Sequence, residues 1–285
     1  MAYIDRDTLK GALSLPASAT DKHWLLDAAL DGVTQEIDKD VGYGFAPRTG
    51  TRYYRPTNSD YLVLDYPLTA VTSVTLDNDE DGVYESTLAA TAYYLLPDNA
   101  TEQSPAQPFW ALEIRADANA SAVFPVGVRR GVKITGTWGY YDQRTETTAK
   151  PATGISAADN VWDMVGASGL RAGQMLRVDD EQVLILDNAL SGSATAAASG
   201  QITVRRAQGG TTGATHSSNS TMSVYSYPII ERTCLYQAEM DYRAMDAPLG
   251  VAGGDYGGGQ TVRAPGGLHP FSRRQLDQFR EPVAR

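Results

Sequence analysis

Asp77, Asp79, Asp81 and Glu85, with Gly82 among them, stand at the spacing of the first half of a calcium loop. Oxygen ligands at alternate positions and a glycine at the sixth let a chain wrap a hard cation. The twelfth position, where such a loop needs a bidentate carboxylate, is Leu88. The stretch is therefore expected to be an acidic hairpin turn tipped by Asp77, Asp79 and Asp81, with no resident metal.

Acid–base and nucleophilic chemistry has little to draw on. The three histidines are His23, in the first turn of a predicted helix, His216, in a Thr/Ser/Gly loop, and His269, near the C-terminus. No nucleophile-elbow pattern accompanies them. The chain has no His-Glu-x-x-His, no P-loop and no Gly-x-Gly-x-x-Gly after a strand. Gly209-Gly210-Thr211-Thr212-Gly213 has the small residues of an anion cradle, but no lysine and no following helix. A glycan hydrolase would have to use carboxylates such as Glu113 and Asp117, and nothing pairs them. The single cysteine, Cys234, lies on the apolar stripe of a predicted helix and reads as a small buried hydrophobe. The expectation is a protein that is not an enzyme and carries no cofactor.

Bulk properties narrow the class further. A chain of 285 residues makes one large domain or two ordinary ones, and 42% hydrophobic content is enough for packed cores. A net charge of −10 argues against a general nucleic-acid binder. An acidic wall would instead repel a passing phosphate backbone. Sixteen tyrosines against five phenylalanines suit strands and wet contact surfaces. The start, MAYIDRDTLK, lacks the basic-then-apolar pattern of a secretory signal, and no run of about 18 apolar residues predicts a membrane span.

The elements follow from periodicity. Asp5 can cap a short helix over 4–13, and Leu26, Leu30, Val33, Ile37 and Val41 make the stripe of a second over 21–41. Strands are predicted at 51–54, 61–64, 71–76, 83–85, 93–96, 111–115 and 132–138, with no helical run between them, so their sheet is antiparallel. A separate small β module is expected from 155 to 225, with the small-residue stretch 191–200 as a hairpin tip. Pro228 opens a late helix striped by Ile230, Cys234, Ala238, Tyr242 and Met245.

From Gly250 the chain is glycine-rich, then basic and aromatic. Five arginines against Asp255, Asp277 and Glu281 give this tail +2 and leave −12 on the rest. The fold class expected is α+β: a helical body of an N-terminal helix pair plus a late C-terminal helix, an antiparallel β region, and a separate inserted small β-domain. The partition is 1–150 with 227–249 as core, 151–226 as insertion and 250–285 as a flexible docking arm.

The order of these pieces resembles the head–tail connector (adaptor) proteins of long-tailed double-stranded-DNA phages. The resemblance rests on the helix pair, Tyr66-Pro67-Leu68 with 71–76, the turn at 79–85, 93–97, 132–140 and the helix after Pro228. It is a pattern of several weak motifs in order. The insertion is similar to a small β-domain found in other phage structural proteins, with Gly173 before Gln174 and Arg206-Ala207-Gln208-Gly209-Gly210-Thr211-Thr212 later.

The resemblance implies a virion protein at the head–tail interface, assembled in the host cytoplasm. It implies a homo-oligomeric ring of twelve copies beneath the portal protein, a next tail or stopper component below, and genomic DNA only as passing cargo, with no membrane. It also implies that the C-terminal arm reaches the portal, through Arg263, Phe271, Arg273, Arg274, Leu276, Phe279 and Arg280. A carbohydrate- or receptor-binding β protein of a tail tip or fibre is the alternative, with the strand tryptophans Trp110, Trp138 and Trp162 facing the ligand.

Overall fold

A computed structural model of the protein describes residues 2–16, 19–103, 106–116, 123–167, 169–191, 199–246 and 267–280, and the side chains of all these but 189–191. The chain divides into two compact units, one formed by Met1–Val41 with Arg144–Arg280, the other built on Gly42–Gln143. Among the described residues are thirteen strands in two antiparallel sheets and only four α-helices. That overturns the expected helical body. The helices each bury one stripe, whereas strand alternation builds two separate apolar cores, one within each sheet's unit. No helix among the described residues is long and apolar enough to cross a membrane.

In the unit of Gly42–Gln143 the strands are β1 (Arg48–Tyr54), β2 (Tyr61–Leu76), β3 (Ser86–Leu88), β4 (Tyr93–Leu96), β5 (Phe109–Ile114) and β6 (Val132–Trp138). They are ordered β1-β6-β2-β5-β4, with β3 beside β2. The two strands predicted at 61–64 and 71–76 are one bent strand. Its first part pairs with β5, and from Leu68 it pairs with β6. Pro67, which cannot donate to a ladder, falls in the register shift between them. Gly136 lies beside a second shift, where an added Cβ would run into the Ala70 carbonyl. Leu62, Leu64, Leu68, Val74, Ile134 and Trp138 fill the core.

The other unit begins with α1 (Arg6–Ala12) and α2 (His23–Val41). Asp5 caps α1 by accepting from Thr8 N at 2.8 Å, and Arg6 grips Asp27 of α2 through two 2.7 Å bonds. Its strands are β7 (Arg144–Glu146), β8 (Lys150–Pro151), β9 (Val161–Val165), β10 (Met175–Val178), β11 (Glu181–Ser191), β12 (Ser199–Gln208) and β13 (Met222–Tyr225). Their order is β7-β13-β10-β11-β12-β9-β8. Most of the predicted hairpin tip, 192–198, lies outside the described residues.

After β13 come α3 (Pro228–Asp246) and α4 (Pro270–Leu276). Lys22 meets Asp246 at 2.7 Å, so α2 and α3 pack antiparallel. Leu26, Leu30, Val33 and Ile37 of α2 and Ile230, Cys234, Ala238 and Tyr242 of α3 are buried.

Candidate functional site

The acidic turn forms, and it is longer than the strand pattern suggests. The β3 strand starts at Ser86, not at Val83, because side chains engage the intervening backbone. Asp77 accepts from Glu80 N (2.8 Å) and Gly82 N (3.0 Å), and Asp81 accepts from Val83 N at 2.7 Å. Gly82 has φ +87 and Glu80 φ +67, the left-handed geometry that a tight turn demands. Carboxylate oxygens of Asp77, Asp79, Asp81 and Glu85 all lie within 4.8 Å of one another. Asp77 is buried and accepts its two backbone bonds one on each carboxylate oxygen, and Leu88, at the twelfth position, pairs with Val74 at the core edge and offers no side-chain oxygen.

A second cluster forms around Glu181, which no motif or spacing in the sequence marks as a site. The tight turn at Asp179-Asp180 joins β10 to β11, and Glu181 enters the core at its end, with no exposed surface. Glu181 Oε1 accepts from Arg206 Nε (2.8 Å) and Ala207 N (3.0 Å). Its Oε2 accepts from Arg206 Nη2 and Ala214 N (3.0 Å), with His216 Nε2 at 2.9 Å. On the other side of the ring, His216 Nδ1 is 2.8 Å from Asp179 Oδ2, which also accepts from Ser220 Oγ at 2.8 Å. The Trp162 ring covers Arg206 at 5.2 Å and meets the His216 ring at 6.0 Å.

Burial by itself would raise the Glu181 carboxyl; the Arg206 guanidinium, the Ala214 and Ala207 amides and His216 outweigh it and hold the group at about 2. Asp179 is likewise held low, burial again being outweighed by His216 and Ser220. Asp179 (φ +48) and Ala207 (φ +55) both adopt left-handed backbone, and the second aims its N–H at Glu181.

This knot has the residue types of a serine hydrolase but not its arrangement. Ser220 donates to Asp179, while the ring nitrogen that would activate a nucleophile faces Glu181. What the cluster does is tie the β10–β11 turn, the end of β12 and the loop through Ala214 and His216 into one piece. The Gly209–Gly213 loop is closed the same way: Thr211 Oγ1 accepts from Gln182 N and donates to Gln208 O. A cleft of about 420 Å³ beside α1 and α3 holds Asp5 and Glu231, both engaged in capping, Glu231 by accepting from Tyr227 N at 2.6 Å.

The C-terminal residues singled out in the sequence are distributed over a folded segment. Leu276 and Phe279 are buried, and α4 packs against α3 and α2. Arg280 Nη2 sits 2.9 Å from Asp40 of α2, and Arg273 Nε approaches the same carboxylate at 3.9 Å. Phe271 is 41% exposed, its ring 5.2 Å from Tyr236, and Arg274 is exposed. Arg263 lies outside the described residues, as does Asp117. Glu113 is exposed on β5 between Tyr61 and Tyr94 of its neighbours. Trp138 and Trp162 are buried in the two cores and Trp110 is half-buried, whereas Trp24, at the start of α2, is 71% exposed. No protein-family model, no curated protein and no solved structure matches the chain.

Proposed function

We infer that the protein is a virion structural protein, a head–tail adaptor that forms a ring under the portal, joins the capsid vertex to the tail and lets DNA pass through its lumen. The observation that carries the reading is the C-terminal segment. It is a short basic helix clasped on an acidic helical face by Asp40, with Phe271 and Arg274 left outward. A protein that joins others needs such outward anchors more than a catalytic cleft. The buried charge cluster supports the same class. Its hydrogen-bonding groups are turned on one another and close a fold, offering nothing to a small substrate. The chain's net charge of −10 would keep a lumen repulsive to DNA. A carbohydrate-binding reading draws less support, since Trp138 and Trp162 are in the cores.

Negative-stain microscopy of the purified protein, alone and with its cognate portal, tests the reading. A closed ring, either free or seated on the portal, is expected. Charge reversal at Arg274 combined with Phe271→Ala should leave the fold unchanged and abolish portal binding. A protein that never forms a ring and does not bind the portal would sink the assignment.

A further inference from the structure

The segment 267–280 and the face that holds it form two halves of an interface. Leu276, Phe279 and Ser272 are buried against the helices. The buried Gln237 of α3 accepts through one oxygen from His269 N at 2.9 Å and from Ser272 Oγ at 3.3 Å. Arg232 Nη2 donates to Gln275 at 2.8 Å, and Arg280 pairs with Asp40. Charge complements shape: the segment brings Arg273 and Arg280 to the acidic carboxylate of Asp40.

The covalent tether is far longer than this seating needs. The α3 helix ends at Asp246, and the chain is back at Gln237, nine residues up the same helix, by His269. At about 1.5 Å per residue that return path is about 14 Å. The twenty residues 247–266, seven of them glycine, span up to about 66 Å when extended. About five residues would do for a connection within one chain. Surplus tether lowers the effective concentration of the segment at its own groove, so a neighbouring copy held nearby can supply it instead.

We propose that the segment 267–280 of one copy seats on the α2–α3 face of a neighbouring copy, so that an oligomer of this chain is clasped by exchanged C-terminal segments. The occupant is a second copy of this chain, and the proposal needs no portal, so it stands apart from the adaptor reading.

Two chains, one carrying Arg232→Cys and the other Gln275→Cys, are mixed without portal and treated with a short bis-maleimide. Cys234 stays silent because it is buried. A link between the two chains is expected, its yield rising with protein concentration. Deleting 251–262 leaves an eight-residue connector of up to about 26 Å, which matches the path within one chain closely and raises the segment's effective concentration at its own groove. That deletion should abolish the inter-chain link while a chain carrying both cysteines still links to itself. Sedimentation reads the same point independently: the full chain associates and the shortened chain remains a folded monomer. The proposal is overturned if the doubly substituted chain links only internally and the mixture never links. It is also overturned if the full chain sediments as a monomer throughout, or if the shortened chain associates equally well.

Discussion

Replacing Glu181 by Gln keeps the size of the side chain and removes its charge, leaving the Arg206 guanidinium buried without its counter-ion. The carboxyl sits at about 2 in the folded protein, against an ordinary 4.5. That difference corresponds to about 3 kcal/mol of folding stability. The folded value is depressed, so the contribution is fully present above pH 4.5 and is lost as pH falls toward 2. At pH 7 the variant should therefore lose about 3 kcal/mol, in the range expected for breaking a buried pair from one side. The gap between wild type and variant should then shrink on acidification, because a protonated carboxyl and an amide are both neutral. Asp179, also held low, is present in both proteins and adds to the acid loss of each. Pulse-labelling hydrogen exchange of β11 and β12 amides along a urea series, repeated from pH 7 to pH 2.5, reads the stability of that unit. A gap under about 1 kcal/mol at pH 7, or one that does not change between pH 5 and pH 2.5, would refute the assignment of Glu181 as the electrostatic centre of the knot.

Gly136→Ala should cost about 2–3 kcal/mol in the unit of Gly42–Gln143, since the new methyl meets backbone and not a movable side chain; a melt within 2 °C of wild type contradicts this. Asp77→Ala removes the carboxylate that accepts from two backbone N–H groups and should cost about 2 kcal/mol by urea unfolding, whereas Asp79→Asn should be near neutral and added calcium should not move the melting temperature. Burial pushes the Cys234 thiol up to about 12, so Ellman's reagent should find no thiol in the native protein and one after denaturation. Leu276→Ala, at a site with no exposed surface, should weaken the seating of α4 by about 2–4 kcal/mol. Faster tryptic cleavage at Arg273, Arg274 and Arg280 would register it, and unchanged protection would argue against the seating.

Helical periodicity was the most legible signal. Every residue of the α2 stripe from Leu26 to Val41 is buried, as is the α3 stripe as far as Tyr242. Met245, on the last turn of α3, is 46% exposed, because a stripe says nothing about where the partner helix ends. The balance between helix and sheet was not legible. Stripes advertise a helix locally, but the mass of a fold lies in strand pairings that join positions far apart, such as Arg48 with Trp138. The start of β3 was missed for a local reason, the capture of turn amides by Asp77 and Asp81. Leu276 and Phe279 stood in a short basic run after a glycine-rich stretch, and seven residues are too few for a helical stripe to declare what it packs on.

The charge knot could have been read from register. Along β11, Glu181 keeps phase with Val183 and Ile185, both fully buried, so a period of two carries a carboxylate into the core. Along β12, Arg206 keeps phase with Ile202 and Val204, which are buried as well. An ionised group in a core register is tolerated only with a partner and satisfied hydrogen bonds. Two opposite charges, each in the buried phase of adjacent antiparallel strands, therefore predict each other. Position in the alternation distinguishes Glu181 and Arg206 from the exposed Asp180 and the solvent-phase Arg205 beside them. Composition alone marks both stretches only as polar and charged, whereas phase decides which of two neighbouring charges is buried.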